Sequence, residues 1–270
     1  MIYDAHAHAA RDYATVESIL ETTAKFGIEK IVLCTSPKNN VDLKDPPNFP
    51  FMNSPNSIFS LNKMLRFGYK YFIKDRGDGN KKVFELRSKL PEMILQFLWV
   101  NPLDPQHVGS LERNIQDYQI KGIKLHQAWD PFSISGVEFE SVIEIAKAHC
   151  LPVFIHLYSK KEARKLLEYI GTHQDVTFII AHMLGLDIFK EKRDEFSNVY
   201  FDTSGSKRVR GKDILEAIDL FGHDHVVFGS DTPYARIEDQ IAKINGLNLP
   251  DDVKEHIFKL NIMNVLSLNE

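Results

Sequence analysis

The first ten residues, MIYDAHAHAA, place His6 and His8 one residue apart, with Asp4 two positions ahead. In a β-strand, positions i, i+2 and i+4 face one side. Asp4, His6 and His8 would then share a face, with alanines on the other, and two imidazoles a strand-step apart can reach a single ion. Four further fragments carry side chains of the same kind: GIKLHQAWD with Lys124 and His126, PVFIHLYS with His156, IIAHMLG with His182 and VVFGSDTPY with Asp231. Each closes an apolar run. For any one histidine alone, a hydrogen-bonded rim residue is the plainer reading. Five imidazoles and a carboxylate meeting at one place, however, are costly to desolvate without a shared partner. A divalent cation satisfies them together, and nitrogen and oxygen donors suit Zn2+ or its neighbours.

The elements that must position these groups follow a repeating pattern of a short apolar run and a longer amphipathic one. Strands are expected over 1–8, 30–35, 94–101, 122–126, 152–157, 177–182, 199–203 and 226–231. Helical patterns lie between them: 14–26, stopped by Gly27; 108–118; 138–149; a helix opening on the capping box Ser159-Lys-Lys-Glu162; 186–196; 212–221, stopped by Gly222; 236–244; and a tail helix from about Asp251. Eight strands alternating with helices imply a parallel sheet. Eight is also the number that closes a (β/α)8 TIM barrel, which typically needs ~250 residues. The expected class is therefore α/β, one barrel domain over 1–270, with an open doubly wound sheet as the alternative. The absence of a glycine-rich loop after the first strand counts against that alternative.

One segment breaks the rhythm. Residues 36–92 include the Pro-rich DPPNFPF and the aromatic-basic RFGYKYF, with helical stretches over 58–72 and 82–89. A connection this long is usually functional or disordered, and its helical content argues for order; a stabilising surface insertion is the alternative. It leaves the C-terminal end of a strand, so it is expected to cover the metal side of the barrel, with Phe67, Tyr69, Tyr71 and Phe72 as apolar wall.

Active sites of such barrels lie at the C-terminal ends of the strands. His6, His8, His126, His156, His182 and Asp231 all fall there. His149, His173, His223 and His225 fall in connections entering strands, and His107 and His256 lie in or next to helices. The pair His223-Asp224-His225, which mimics the His6–His8 spacing, thus reads as a solvated turn. Cys34 follows a strand and Cys150 precedes one, so they should lie on opposite rims and cannot pair. The net charge of −4 with interspersed signs leaves no basic footprint for nucleic acid. No apolar run approaches the ~18 residues of a membrane span, and the start lacks a signal peptide's pattern. A cytoplasmic protein with a small-molecule substrate is expected, with a homo-oligomer left open.

In this order and spacing, the five fragments resemble the metal-dependent amidohydrolase superfamily, specifically its amidohydrolase-related branch; NIMNVLSL is similar to the family's closing helix. The resemblance implies a catalytic metal, Zn2+ first and Mn2+ as the alternative, with His6, His8, His156 and Asp231 as ligands. It also implies Asp231 and His182 as proton-transfer groups. The reaction implied is hydrolysis of a small carbonyl substrate, a lactone or amide, by a metal-activated water. A metal-dependent decarboxylase of a small aromatic or enolic acid is the alternative, and an inactive binding barrel a third reading. GIKLHQAWD resembles the fourth strand of urease, where the matching Lys is carbamylated and bridges two metals, and the matching His contacts the substrate carbonyl. The branch often carries a similar run around one ion. One ion is favoured here, with two as the alternative and with Lys124 and His126 as substrate-side residues; Lys124 paired with Asp4 is the bland option. Arg11, and Lys207, Arg208 and Arg210 after the seventh strand, are candidates to meet a substrate carboxylate, against the plainer reading of solvated basic residues.

Overall fold

The computed structural model describes residues 1–36, 54–72, 79–195, 197–205 and 208–268. Lys207 and the side chains of Phe67, Tyr69, Tyr71 and Phe72 lie outside what is described. The strands are β1 (Ile2–His8), β2 (Ile28–Cys34), β3 (Ile94–Trp99), β4 (Gly122–His126), β5 (Val153–His156), β6 (Phe178–Ile180), β7 (Val199–Asp202) and β8 (Val226–Val227). They are all parallel, and each pairs with the next in chain order. The first strand also meets the segment that begins at β8. Ala5 N donates to Phe228 O at 2.9 Å, Asp231 N to His6 O at 2.7 Å and His8 N to Thr232 O at 3.0 Å. The result is a nearly closed (β/α)8 barrel.

The helices are α1 (Val16–Phe26), α2 (Ile58–Phe72), α3 (Gly79–Lys89), α4 (Pro105–Tyr118), α5 (Val137–Ala148), α6 (Lys160–Thr172), α7 (Leu186–Phe189), α8 (Gly211–Phe221), α9 (Ile237–Asn245), α10 (Asp251–Glu255) and α11 (Asn261–Val265). Local sequence sets their ends. Thr15 and Ser18 form a reciprocal cap on α1, and Gly27, at φ 66°, closes it in the left-handed region that glycine tolerates. Asp104 accepts from Gln106 N and Pro105 opens α4. On α6, Ser159 accepts from Glu162 N as expected. The other half of that capping box is absent, because the Glu162 carboxylate accepts from Gln127 Nε2 and Ile134 N, each at 2.9 Å. The helix expected over 186–196 is only the single turn of α7 and a 3-10 stretch, Lys190–Glu195, whose polar sequence has no apolar stripe to bury.

Strand periodicity divides the core. Ile123, Leu125, Val153, Ile155, Phe178, Ile180, Val199 and Phe201 pack outward under the helices. The alternate residues Phe97, Phe154, Ile179 and Val227 fill the interior with Tyr3, Val32 and Leu95, and Ile262, Met263 and Leu266 of the tail pack against this group. Gly122 makes room in that interior. A Cβ built there would stand 2.3 Å from the Phe97 ring.

Two boundaries differ from the expectation. α3 packs on β3 and β2, and Asn80 accepts from Trp99 N and donates to Trp99 O. Parallel neighbours need a crossover, and α3 supplies the one between β2 and β3, so the extra segment ends before residue 79 rather than at 92. The sixth and eighth strands also stop short of His182 and Asp231, which sit at φ 53° and 56°. The His182 N–H leaves the ladder for Asp202 Oδ2 at 3.1 Å, while Asp231 keeps a backbone bond to β1 through its N–H and His6 O. No described helix is long and apolar enough to cross a membrane.

Candidate metal centre and active site

Positions at and just beyond the strand ends bring six predicted residues, all buried, to one mouth of the barrel: His6, His8, His126, His156, His182 and Asp231. On β1, His6 Nδ1 lies 2.9 Å from Asp202 Oδ2 and 3.0 Å from Ser204 Oγ. A carboxylate partner assigns the proton to Nδ1 and leaves the Nε2 lone pair facing inward. His8 is set the same way, Nδ1 donating to Thr35 O at 2.8 Å. Both Nε2 atoms then face Asp231 Oδ1, at 3.7 Å from His6 and 3.5 Å from His8. Donors on a tetrahedral ion with bonds of about 2.0–2.2 Å stand roughly 3.3–3.6 Å apart. The trio's chemistry suits a divalent cation, and its donor atoms, all within 4.8 Å of one another, lie at or just beyond that spacing.

Asp231 has two sides. Its Oδ1 faces the β1 histidines, while Oδ2 lies 3.8 Å from His182 Nε2 and accepts from the Arg208 guanidinium at 3.3 Å. Burial would raise this carboxyl, but His182, His8, His6 and Arg208 hold it well below the ordinary range. His182, by contrast, is pushed down to about 3, chiefly by burial, and is a neutral imidazole. Its Nδ1 faces Ser204 Oγ at 2.8 Å and Ser204 O at 3.3 Å, and Ser204 Oγ in turn donates to Asp202 Oδ2. The carbonyl fixes the proton on Nδ1, so Nε2 is free to accept. Burial pulls His8 down, but the Cys34 sulfur, 3.3 Å from Nδ1, and Asp231 outweigh it and lift the imidazole to about 10. A divalent ion bound here would release the proton that His8 shares with Asp231.

Asp202 is a second buried carboxylate, held to about 2 by His6 and its other partners against the opposing effect of burial. It could join His6 and His182 around an ion. Its oxygens, however, already serve the His6 ring, the His182 N–H and Ser204, so it orients the imidazoles rather than facing the pocket. Among the described residues a further polar cluster, Glu140, Glu144 and His173, lies on the outer helices, with Glu144 exposed and the other two half-buried.

The other predicted residues separate. His126 is sandwiched between Trp99 and His156, with centroids at 5.3 and 3.9 Å and planes within 4° and 11°. Its Nδ1 is buried without a hydrogen-bond partner. His156 sits outside both clusters, its Nε2 donating to Asn62 Oδ1 of α2 at 2.9 Å. Lys124 does not pair with Asp4. Asp4 instead accepts from Ser230 N, His6 N and Tyr13 Oη. The Lys124 amine lies 2.9 Å from His6 Nε2 and 3.9 Å from the Phe154 ring centre, its pKa lowered by burial. Arg11 Nη1 is buried without a partner, and its Nε faces Asp12 at 3.7 Å. His223 and His225 sit at the opposite end of the barrel, half-buried rather than solvated, with His225 Nδ1 donating to Val199 O at 2.7 Å. Both cysteines are free. Asn62, Asp202 and Ser204 were not singled out from sequence. Asp202 ends β7 as His8, His126 and His156 end their strands, so the strand-end criterion that picked out Asp231 would have found it too.

A barrel with a histidine–carboxylate cluster at the C-terminal mouth defines a class of enzymes, and the comparisons with known proteins agree. The amidohydrolase family profile matches residues 3–268, and the chain belongs to that family. No curated protein matches in sequence. Among solved structures, the chain is similar to a dihydroxybenzoic acid decarboxylase from Polaromonas with bound manganese and an inhibitor (16% identity, TM-score 0.69, covering 100% of this chain and 97% of that one). It is likewise similar to an amidohydrolase II (14%, 0.70, 99% and 100%). A third likeness is to the 4-oxalomesaconate hydratase of Rhodopseudomonas palustris (15%, 0.65, 99% and 96%). At these identities the likeness is one of fold.

Proposed function

We propose that the protein is a metal-dependent hydrolase of a small carbonyl substrate, a lactone or amide, with one divalent ion held by His6, His8 and Asp231. His156 completes the ligand set by exchanging its Asn62 hydrogen bond for the ion. The observation that carries the proposal is the divided environment of Asp231, one oxygen toward the β1 imidazoles and the other toward His182 and Arg208. When bound, the ion supplies Lewis acidity, polarising a carbonyl oxygen and acidifying water. Asp231 Oδ2, kept ionised, accepts the nucleophile's proton, and the neutral His182 Nε2 stands beside it to move that proton on to the leaving group. Asp202 and Ser204 keep both rings turned so that Nε2 of His6 faces the ion and Nε2 of His182 faces the substrate. His126, with an unpartnered Nδ1, orients the substrate carbonyl. The reading takes one ion rather than two, with the Lys124 amine beside His6 on the substrate side.

A second reading, decarboxylation of a small carboxylic acid, is favoured by a buried guanidinium next to Asp231 and by the manganese-containing decarboxylase among similar folds. In that case His182 or Asp231 would deliver a proton to the carbon that loses the carboxylate. The test is a panel of lactones, amides and aromatic acids on protein reloaded with Zn2+ or Mn2+ after chelation. Expected are one ion per chain, loss of turnover on chelation and its return with metal. Carbon dioxide release would move the assignment to the second reading. A fully active metal-free preparation, or no turnover on any substrate with metal bound, would overturn the proposal.

A further inference from the structure

The residues that close β7 divide between the mouth of the barrel and the layer behind it. Asp202 and Ser204 face the mouth, where they hold the His6 and His182 rings. Thr203 between them is fixed on three sides. Its N–H donates to Val227 O at 3.0 Å, its Oγ1 accepts from Gly229 N at 3.4 Å, and its carbonyl accepts from Lys243 Nζ of α9 at 2.7 Å. Adjacent carbonyls go different ways here. Thr203 O leaves toward α9, whereas Ser204 O turns to His182 Nδ1 at 3.3 Å. The lysine thus grips from behind the stretch of backbone that aims two imidazoles in front.

Among the described residues the Lys243 nitrogen reaches two partners, Thr203 O and Gln240 Oε1, each at 2.7 Å, and both residues are fully buried. Two acceptors match the two N–H donors of a neutral amine, the form that burial favours by lowering its pKa. The charged groups around it are Asp202 of β7, Arg208 beyond that strand, Asp213 of α8 (itself paired with Arg210 at 3.0 Å) and Asp239 of its own helix. A buried carbonyl left without a donor is unfavourable. Without the amine, Thr203 O would turn toward another partner, and the Ser204 peptide would turn with it. The site has little slack to absorb that movement. A Cβ on Gly229 would stand 2.2 Å from Asp202 Oδ1 and 2.7 Å from His6 Cβ, so the backbone after β8 lies directly against the carboxylate.

We infer that Lys243 is a positioning residue for the proposed reaction: by holding the Thr203 carbonyl from behind, it sets Ser204 so that His182 keeps its proton on Nδ1 and offers a bare Nε2 to the substrate. The inference rests on the proton-transfer reading of His182 given above, and it extends the working site to the helical layer outside the strands.

The test reads the ring as well as the rate. In Zn2+-loaded protein carrying isotope-labelled histidine, long-range nitrogen–proton NMR spectra distinguish a protonated ring nitrogen from a bare one. The His182 signals are those lost in His182→Asn. Wild-type protein is expected to show His182 as a single tautomer with Nδ1 protonated. Lys243→Met keeps the stem and removes the donor. Its His182 signals should move toward a mixture of both tautomers, and kcat should fall by about 10- to 100-fold with KM within about twofold, the scale of losing an outer-shell partner. Gln240→Met is the control: it disturbs the same buried corner but leaves the Thr203 bond in place, so tautomer and kcat should stay as in wild type. If Lys243→Met does not fold, Lys243→Gln takes its place; it is slightly shorter but still a donor, and a partial shift in the same direction is expected. The inference is overturned if His182 keeps the single Nδ1-protonated tautomer at unchanged kcat in the Lys243 variant. It is also overturned if kcat falls while the tautomer stays fixed, or if Gln240→Met moves both readouts as far, which would mark a general loosening of α9. Absence of turnover on every substrate would defeat the enzymatic reading, and the tautomer comparison would still decide whether Lys243 aims the ring.

Discussion

The two oxygens of Asp231 have different neighbours, and under the proposed function each has its own task, which a substitution that keeps the shape separates. Asp231→Asn should lower kcat by about 100-fold or more, since an amide cannot take a proton and such transfers contribute typically 10²–10⁴-fold. Excess Mn2+ should refill any lost metal without restoring the rate, and circular dichroism should show the fold intact. His182→Asn should cost kcat on the same scale with metal content unchanged; a raised KM at constant kcat would refute the assigned role. His223→Ala and His225→Ala, at the far end of the barrel, should leave turnover alone. At this scale the sequence was readable wherever the residue type is itself unusual: a histidine closing an apolar run announces its place. Asp202 and Ser204 were passed over because carboxylates and hydroxyls are common at strand ends, and what marks them is their contact with two imidazoles. The role of Asn62 has no local signal, since its partner His156 lies 94 positions away.

The eight strands were legible as elements because outward and inward residues alternate with period two, and apolar runs of that kind survive on both faces of a barrel. Their C-terminal ends were not. β6 stops early because the N–H of His182 is claimed by the Asp202 carboxylate, a decision made by a tertiary contact that propensity does not encode. The same limit hid the status of α3. Its sequence says helix, while its place as the β2–β3 crossover follows from Asn80 meeting Trp99. Gly122 tests how tightly the strands fix the interior. In Gly122→Ala the new methyl must displace the Phe97 ring, which lies 2.3 Å from the Cβ position. Overpacking of this kind costs about 1–3 kcal/mol. Thermal unfolding should shift down by roughly 2–4 °C for each kcal/mol; an unchanged melting temperature would mean that the ring moves freely and the floor is loose.

For the molecule as a whole, composition and element count were enough to reach the barrel, because only a few layouts accept eight strand–helix repeats. How that barrel responds to pH is not written in composition. Lys243 on α9 donates to Thr203 O at 2.7 Å, across from β7 to the layer behind it, and burial lowers its pKa to about 7. In the unfolded chain the same amine titrates near its ordinary value of 10.5. Between those two values the unfolded state binds more protons than the folded one, so stability rises with pH. The rise should be present in wild-type protein between about pH 7 and 10 and flatter in Lys243→Met, measured by urea unfolding at each pH. Equal slopes would show that the amine stays protonated in the folded protein.

Asn62 belongs to a segment that the barrel's own rhythm does not require, yet its amide oxygen takes the proton of a β5 imidazole and its nitrogen donates to Leu157 O and Tyr158 O. Inheritance of the two parts is therefore linked. A descendant that exchanged this segment for another would acquire new walls for its pocket and, in the same event, an unfastened His156. Grafting experiments meet the same rule: a chimaera carrying a foreign loop here needs an acceptor at the place of Asn62, or its fifth strand keeps a ring held by its stacking on His126 but without a partner for Nε2 until an ion arrives.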